Sequence, residues 1–329
     1  MGKVLGIGNA LVDILAHIDS DDILLKLSLL KGSMQLVDKN SADKVLEVVN
    51  SNGKITTASG GSAANTIHGL ANLGVETAFT GKVGNDRWGE FFRTDLKAFN
   101  IKPYLYKGDG RSGRAITLIS GDGERTFATH LGAAVDLNLD DISKDIFEGY
   151  SYLHVEGYLV QNPQLIEGVI KLAKSQGVKI SFDLASFNVV DDNREYLLNL
   201  VNNYVDILFA NEQEAFSFTK IDNDENSLLF MSKMAKVAIL KKGVEGSLIR
   251  MGDEVVFASA VEASPIDTTG AGDLYAAGFI YGLINRQSLE VCGRLGALLA
   301  ATVIEVTGPK MCKDTWCNLR SKCEEIIER

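Results

Sequence analysis

The chain has 329 residues, 46 % of them hydrophobic and 23 % charged, enough to bury one large core with a smaller appendage. Its formal net charge of −10 argues against a nucleic-acid backbone as partner. A nucleotide is still compatible, because local N–H groups and Mg2+ govern phosphate binding. No apolar run reaches the roughly 20 residues of a membrane span, and MGKVLGIGNALVDILAHID lacks the apolar core and cleavage site of a secretory signal.

In chain order, residues 3–7 read as a short buried strand ending in a glycine turn. Leu11 stands where a dinucleotide fingerprint needs its third glycine, so that reading fails. The turn carries Asn9 and Asp13, which suit either the hydroxyls of a polyol or an Asx turn closing on its own backbone. After His17 comes an irregular stretch, with a short helix at 23–30 and strand alternation in Met34, Gln35, Leu36 and Val37. Residues 41–50 form an amphipathic helix with Ser41 as its cap. Gly60 and Gly61 open a polar turn leading into a small-residue helix closed by Gly74. Paired glycines let backbone N–H groups reach a ligand, and Asn65, one turn in, points back towards it; tight helix packing is the alternative. Residues 81–89 shape a turn and a helix start. Then 104–106, 113–120 and 125–129 read as strands joined by glycine turns at 108–110 and 121–123. Hairpins inside a βα chain imply an inserted layer, so 14–38 and 104–129 are assigned to a β lid, with Arg125 in a lid ion pair.

From Ser151 the rhythm is regular: strands at 152–155, 179–183, 207–210 and 238–241 alternate with helices at 164–176 and 194–204. That alternation predicts right-handed βαβ units, a parallel sheet, and ligands at the carboxyl ends of its strands. Asn211, Glu212, Gln213 and Glu214 follow one such strand; their oxygens suit a hydrated Mg2+, or a plain acidic helix start. Tyr158 is a candidate for stacking on a base, or a core tyrosine. PIDTTGAGDLYAAGF, residues 265–279, is the most informative stretch. Small residues turn into a helix opening near Ala271, whose first N–H groups lack partners and carry partial positive charge. Gly270 and Gly272 add no bulk, so an anionic oxygen can approach, and Asp273 sits in the same turn as a base for a hydroxyl. No GxxxxGK[ST] loop competes for phosphate. A long apolar helix at 289–306 and a solvated one at 313–328 end the chain. Cys292, Cys312, Cys317 and Cys323 have neither CxxC spacing nor matching histidines, and read as reduced thiols of a cytoplasmic protein. His17, His68, His130 and His154 are scattered and read as structural.

The motifs GNALVD, GGSAANT, ANEQE, KGVEGS and DTTGAGD, in this order, resemble the ribokinase-like (PfkB) carbohydrate and nucleoside kinases. The resemblance implies a three-layer α/β/α sandwich with a mostly parallel sheet, and a large domain of residues 1–13, 39–103 and 130–329 beneath the β lid. It implies Asn9, Asp13, Gly60, Gly61 and Asn65 on substrate hydroxyls. It also implies Asn211 and Glu214 in an NxxE motif serving Mg2+ and phosphate. Lys241, Gly243, Gly246 and Thr269 fall on nucleotide-binding loops, although Lys241 stands where a threonine or small residue is commoner. Asp273 would be the base, with Gly270, Ala271 and Gly272 as anion hole. Some relatives use a monovalent cation such as K+ near the position of Asp267. The expected activity is MgATP-dependent phosphorylation of a hydroxymethyl group on a nucleoside or sugar. LKGSMQLVD, ISGDGERTF and YVDILFANEQEA favour an adenosine-kinase-like branch over ribokinase, fructokinase and 2-keto-3-deoxygluconate kinase types. A catalytically silent binding protein on this fold is the non-enzymatic alternative, and the chain is expected as a monomer or homodimer.

Overall fold

The computed structural model describes residues 2–52, 55–122 and 124–328. The strands are β1 (Val4–Ile7), β2 (Leu11–His17), β3 (Met34–Leu36), β4 (Ile55–Gly60), β5 (Thr77–Gly84), β6 (Ile101–Gly108) and β7 (Gly113–Ile119). They continue with β8 (Arg125–His130), β9 (Tyr152–Glu156), β10 (Lys179–Asp183), β11 (Ile207–Asn211), β12 (Val237–Lys241), β13 (Ser247–Met251) and β14 (Glu254–Ala258). The helices are α1 (Asp22–Lys26), α2 (Lys39–Asn52), α3 (Ser62–Asn72), α4 (Arg87–Ala98), α5 (Pro163–Ser175) and α6 (Phe187–Asp192). After them come α7 (Arg194–Tyr204), α8 (Glu212–Thr219), α9 (Asp224–Ser232), α10 (Ala271–Ile284), α11 (Leu289–Val303) and α12 (Lys313–Glu328).

Nine strands form the large sheet in the order β14-β13-β12-β11-β10-β9-β1-β5-β6. It is parallel from β6 to β12 and antiparallel at β13 and β14. Alternation along each strand feeds two cores. Val4, Ile207 and Phe209 face the side of α3, α10 and α11, whereas Leu5, Ile7, Leu208 and Ala210 face α5, α7 and α8. Both faces are covered, which is why these strands read as unbroken apolar runs. α10 is apolar around its whole circumference, as befits a helix buried between neighbours. A Cβ on Gly278 would lie 2.5 Å from the Leu295 carbonyl, so α10 and α11 touch backbone to backbone.

A second sheet, β3-β8-β7-β2-β4, stands beside the first. Several expectations need correction here. Residues 104–106 belong to β6 and pair in parallel with β5, so they are not part of the small sheet. β4, unforeseen, pairs with β2, and β2 begins at Leu11, which puts Asp13 on a small-sheet strand rather than in a turn. The small sheet is mixed: β7 and β8 are antiparallel, but β2 pairs with β7 in parallel. β5 extends to Gly84, so the turn begins later than Gly81. Asp38, not Ser41, caps α2, accepting from Ser41 N at 2.8 Å. α3 starts at Ser62, immediately after the glycine pair. Gly123, in the expected 121–123 turn, lies outside the described residues.

Candidate active site

The turn ahead of α10 is fixed from below. Ile304 O, just past α11, accepts from the N–H groups of Ile266 and Asp267. The Asp267 carboxylate accepts from Thr269 N at 2.9 Å and from Gly308 N, and pairs with Arg125 of β8. Gly270 has φ +81°, and a Cβ there would come within 2.8 Å of Pro309 Cβ. The left-handed conformation and the crowding both require glycine. At Gly272 an added Cβ would meet a single atom within 4 Å, Lys241 Nζ at 3.2 Å. The mouth of α10 is therefore a bare backbone cradle with an ammonium beside it, suited to phosphate.

Asp273 is held at that mouth by the first turn of α3. Ser62 Oγ donates to Oδ1 at 2.6 Å, Asn65 Nδ2 donates to Oδ2 at 2.9 Å, and Thr66 Oγ1 donates to the Asp273 carbonyl at 3.1 Å. Positions i, i+3 and i+4 share a helix face, so one turn supplies all three. Burial pushes the Asp273 carboxyl above the ordinary aspartate range, against the pull of the Ser62 and Asn65 bonds. A carboxylate so placed takes a proton more readily. Asn65 Oδ1 is buried with no partner among the described residues and can accept from an incoming hydroxyl.

The GG turn brings β1, β2 and β9 to this point. Gly61 has φ +94°, and a Cβ would lie 2.3 Å from the Asn9 carbonyl; on Gly60 it would strike the Asp13 carboxylate at 2.2 Å. Asn9 donates through N and Nδ2 to Glu156 Oε1, both at 2.8 Å, and Ala63 N donates to Oε2 at 3.0 Å. Asn9 is thus engaged with Glu156. Burial pushes Glu156 up to about 7 despite these three bonds. Burial likewise raises Asp13 to about 7, helped by the charges of Asp273 and Asp267 and opposed by Lys310. Lys310 Nζ is buried with no hydrogen-bond partner among the described residues, and burial lowers it to about 8 against the fields of Asp95, Asp13 and Asp273.

The carboxyl ends of β10, β11 and β12 complete the row. Asn211 lies opposite Lys241 in the sheet, and Lys241 Nζ donates to Asp183 Oδ2 at 2.9 Å. Glu214 and Asn211 close a capping box. Glu214 Oε2 accepts from Asn211 N at 2.7 Å, Oε1 accepts from Asn211 Nδ2 at 2.8 Å, and Glu214 N donates back to Asn211 Oδ1. Burial raises Glu214 to about 6, with Lys241 pulling it down and Asp183 pushing it up. Among the described residues no group of three or more His, Cys, Asp or Glu side chains could hold a metal. One or two carboxylates nonetheless fit Mg2+, which keeps waters and binds through substrate phosphates. A monovalent cation on the Asp267 carboxylate fits poorly, because Arg125 already supplies its counter-charge.

Tyr158 is half-buried in a short turn, and its hydroxyl donates to Ala185 O at 3.5 Å. Lys242 is tied to Asp224 and Glu245, leaving Gly243 and Gly246 to shape the turn after β12. His68 and His154 are buried and His130 half-buried. Sequence reasoning missed four groups: Ser62, Glu156, Asp183 and Lys310. Asp183 ends an expected strand and Glu156 directly follows one, so both were findable by that position. Lys310 sits in a loop with no local signal.

A family model described as pfkB family carbohydrate kinase matches residues 32–316. A crystal structure of a probable sugar kinase from Rhizobium etli superposes with a TM-score of 0.88 at 34 % identity, covering 99 % of both chains. Adenosine kinase from Sinorhizobium meliloti superposes at 0.86 with 35 % identity, covering 98 % of this chain and 99 % of that one. The 5-dehydro-2-deoxygluconokinase of Listeria monocytogenes is 28 % identical over 74 % of this chain and 80 % of its own. Fold, motif order and a family match across most of the sequence agree: the chain belongs to the pfkB family of carbohydrate kinases, phosphotransferases that act on sugar or nucleoside hydroxyl groups.

Proposed function

We propose that this protein transfers the γ-phosphoryl group of ATP to the hydroxymethyl group of a nucleoside, with adenosine the favoured acceptor. The observation carrying this reading is Asp273, oriented by Ser62 and Asn65 at the open mouth of α10. Asp273 takes the hydroxyl proton as the oxygen attacks. The N–H groups of Gly272 and Asp273 hold the transferring oxygens, the Ala271 N–H being turned to Thr268 O, while Asn65 Oδ1 and Asp13 accept from acceptor hydroxyls. Gly243, Gly246 and Thr269 are assigned to the nucleotide, and Tyr158 to the acceptor base. Glu214, with Asn211, would hold Mg2+ through its waters, and the ion would neutralise phosphate charge there. The small sheet closes over the acceptor and excludes water. The likeness to adenosine kinase from S. meliloti supports the nucleoside assignment.

A second reading, a sugar-acid kinase, is favoured by one observation. Lys310 Nζ is buried near Asp13 and Asp273 with no hydrogen-bond partner among the described residues, and an acceptor carboxylate would pair with it there. A coupled ADP-release screen over nucleosides, pentoses, hexoses and ketosugar acids separates the two. Turnover with adenosine at the highest kcat/KM supports the first. A ketosugar acid ahead of every nucleoside supports the second, and no ADP release with any acceptor sinks both.

A further inference from the structure

Lys241 sets a full positive charge beside the mouth of α10, its Nζ 3.2 Å from where a Cβ on Gly272 would stand. It ends β12 with its side chain 15 % exposed, and it donates to Asp183, whose side chain is 7 % exposed. Among the described residues, its Nζ is the atom that a Cβ on Gly272 would meet within 4 Å. Burial would push this amine down, but the charges of Asp183, Glu214 and Asp273 outweigh burial and hold it above the ordinary lysine range. Those three carboxylates would repel an incoming polyphosphate, and the helix N-terminus offers only partial charge against them.

We propose that Lys241 is a catalytic residue of phosphoryl transfer, held on Asp183 and contacting the γ-phosphoryl oxygens as the group passes from donor to acceptor. This deepens the kinase reading and rests on it. In the step, the acceptor oxygen forms a bond to γ-phosphorus while the bridging P–O bond breaks. That electron pair leaves on the β-phosphate of ADP, and the acceptor proton goes to Asp273. Lys241 keeps its protons throughout and supplies charge. Asp183 is its positioning residue.

The test compares wild type, Lys241→Met and the double variant Lys241→Met/Asp183→Asn. Readouts are kcat, acceptor KM, thermal midpoint, and affinity for a non-hydrolysable ATP analogue against ADP, all with Mg2+. In K241M, kcat should fall about 100-fold or more, as on loss of one transition-state donor. Acceptor KM should stay within about threefold, and the preference for the ATP analogue over ADP should drop about tenfold. The double variant removes the unpaired buried carboxylate, so it should regain thermal stability while remaining as slow as K241M. Two results overturn the proposal: K241M turning over within about threefold of wild type, or the double variant recovering activity, which would make Lys241 a charge balance for Asp183 only. The nucleotide arm needs no acceptor, so an unchanged preference in K241M also overturns it. A wild type that releases no ADP with any acceptor would instead sink the kinase reading.

Discussion

Asp273→Asn should move activity and stability in opposite directions. The amide is the same size as the carboxylate, and one of its atoms can still accept from Asn65 Nδ2. The Ser62 hydroxyl, now 2.6 Å from Oδ1, can turn and accept from the new NH2, so the geometry survives. Proton acceptance does not. General-base catalysis contributes roughly 10²–10⁴ in rate, so kcat should fall by that factor, about 2.7–5.5 kcal/mol of barrier. Acceptor affinity should change little. Burial makes the folded protein hold the Asp273 proton more readily than the unfolded chain does. The group therefore adds most to stability below the ordinary aspartate value of 3.8, and this is lost as pH rises through its higher folded value. At neutral pH the neutral amide should raise the thermal midpoint, by roughly 2–4 °C per kcal/mol relieved. The assay pairs coupled ADP release with thermal denaturation between pH 5 and 8. A kcat within tenfold of wild type refutes the base assignment, and a lowered midpoint across that range refutes the charge-burial reasoning.

Wild-type stability should itself fall as pH rises from about 4 to about 7, because Asp13 and Glu156 both titrate near 7 when folded and near 4 when unfolded. Glu156 alone accounts for up to roughly 3 kcal/mol of this, read as a falling urea midpoint that Asp13→Asn should flatten; a midpoint rising with pH would contradict the shifts. Glu156→Gln should cost about 1–3 kcal/mol at pH 5, because an amide NH2 would face one of the N–H donors from Asn9 or Ala63. Gly61→Ala meets a Cβ contact of 2.3 Å at φ +94°, and should cost about 3 kcal/mol or more, with turnover lost alongside; a variant of wild-type stability would show the turn to be plastic. Arg125→Met strands the Asp267 carboxylate, whose side chain is 1 % exposed, at a cost of roughly 3–5 kcal/mol in chemical denaturation. Adding Asp267→Asn should recover part of that loss, and a double variant no better than the single one would argue against the ion pair.

Local chemistry made much of this molecule readable in advance. The βα rhythm from Ser151 onwards, α10 opening at Ala271 and α12 spanning Lys313–Glu328 follow from apolar periodicity and turn residues, which act over a few neighbours. Gly270, Gly272 and Asp273 were legible for the same reason, since a helix start offering bare N–H groups is a property of a short stretch. Sheet membership was not. Whether residues 104–106 or Ile55–Gly60 join the large or the small sheet depends on partners distant in sequence, and either pairing satisfies the same alternation. The charge constellation was likewise beyond local reading. Lys241 beside Gly272, Glu156 under the Asn9 N–H, Arg125 on Asp267 and Lys310 among three acids join residues from separate strands and loops. Each residue by itself is an ordinary polar side chain. Only the packing of β1, β9, β10 and β12 against α3 and α10 removes water from between them, and that desolvation gives the charges their strength.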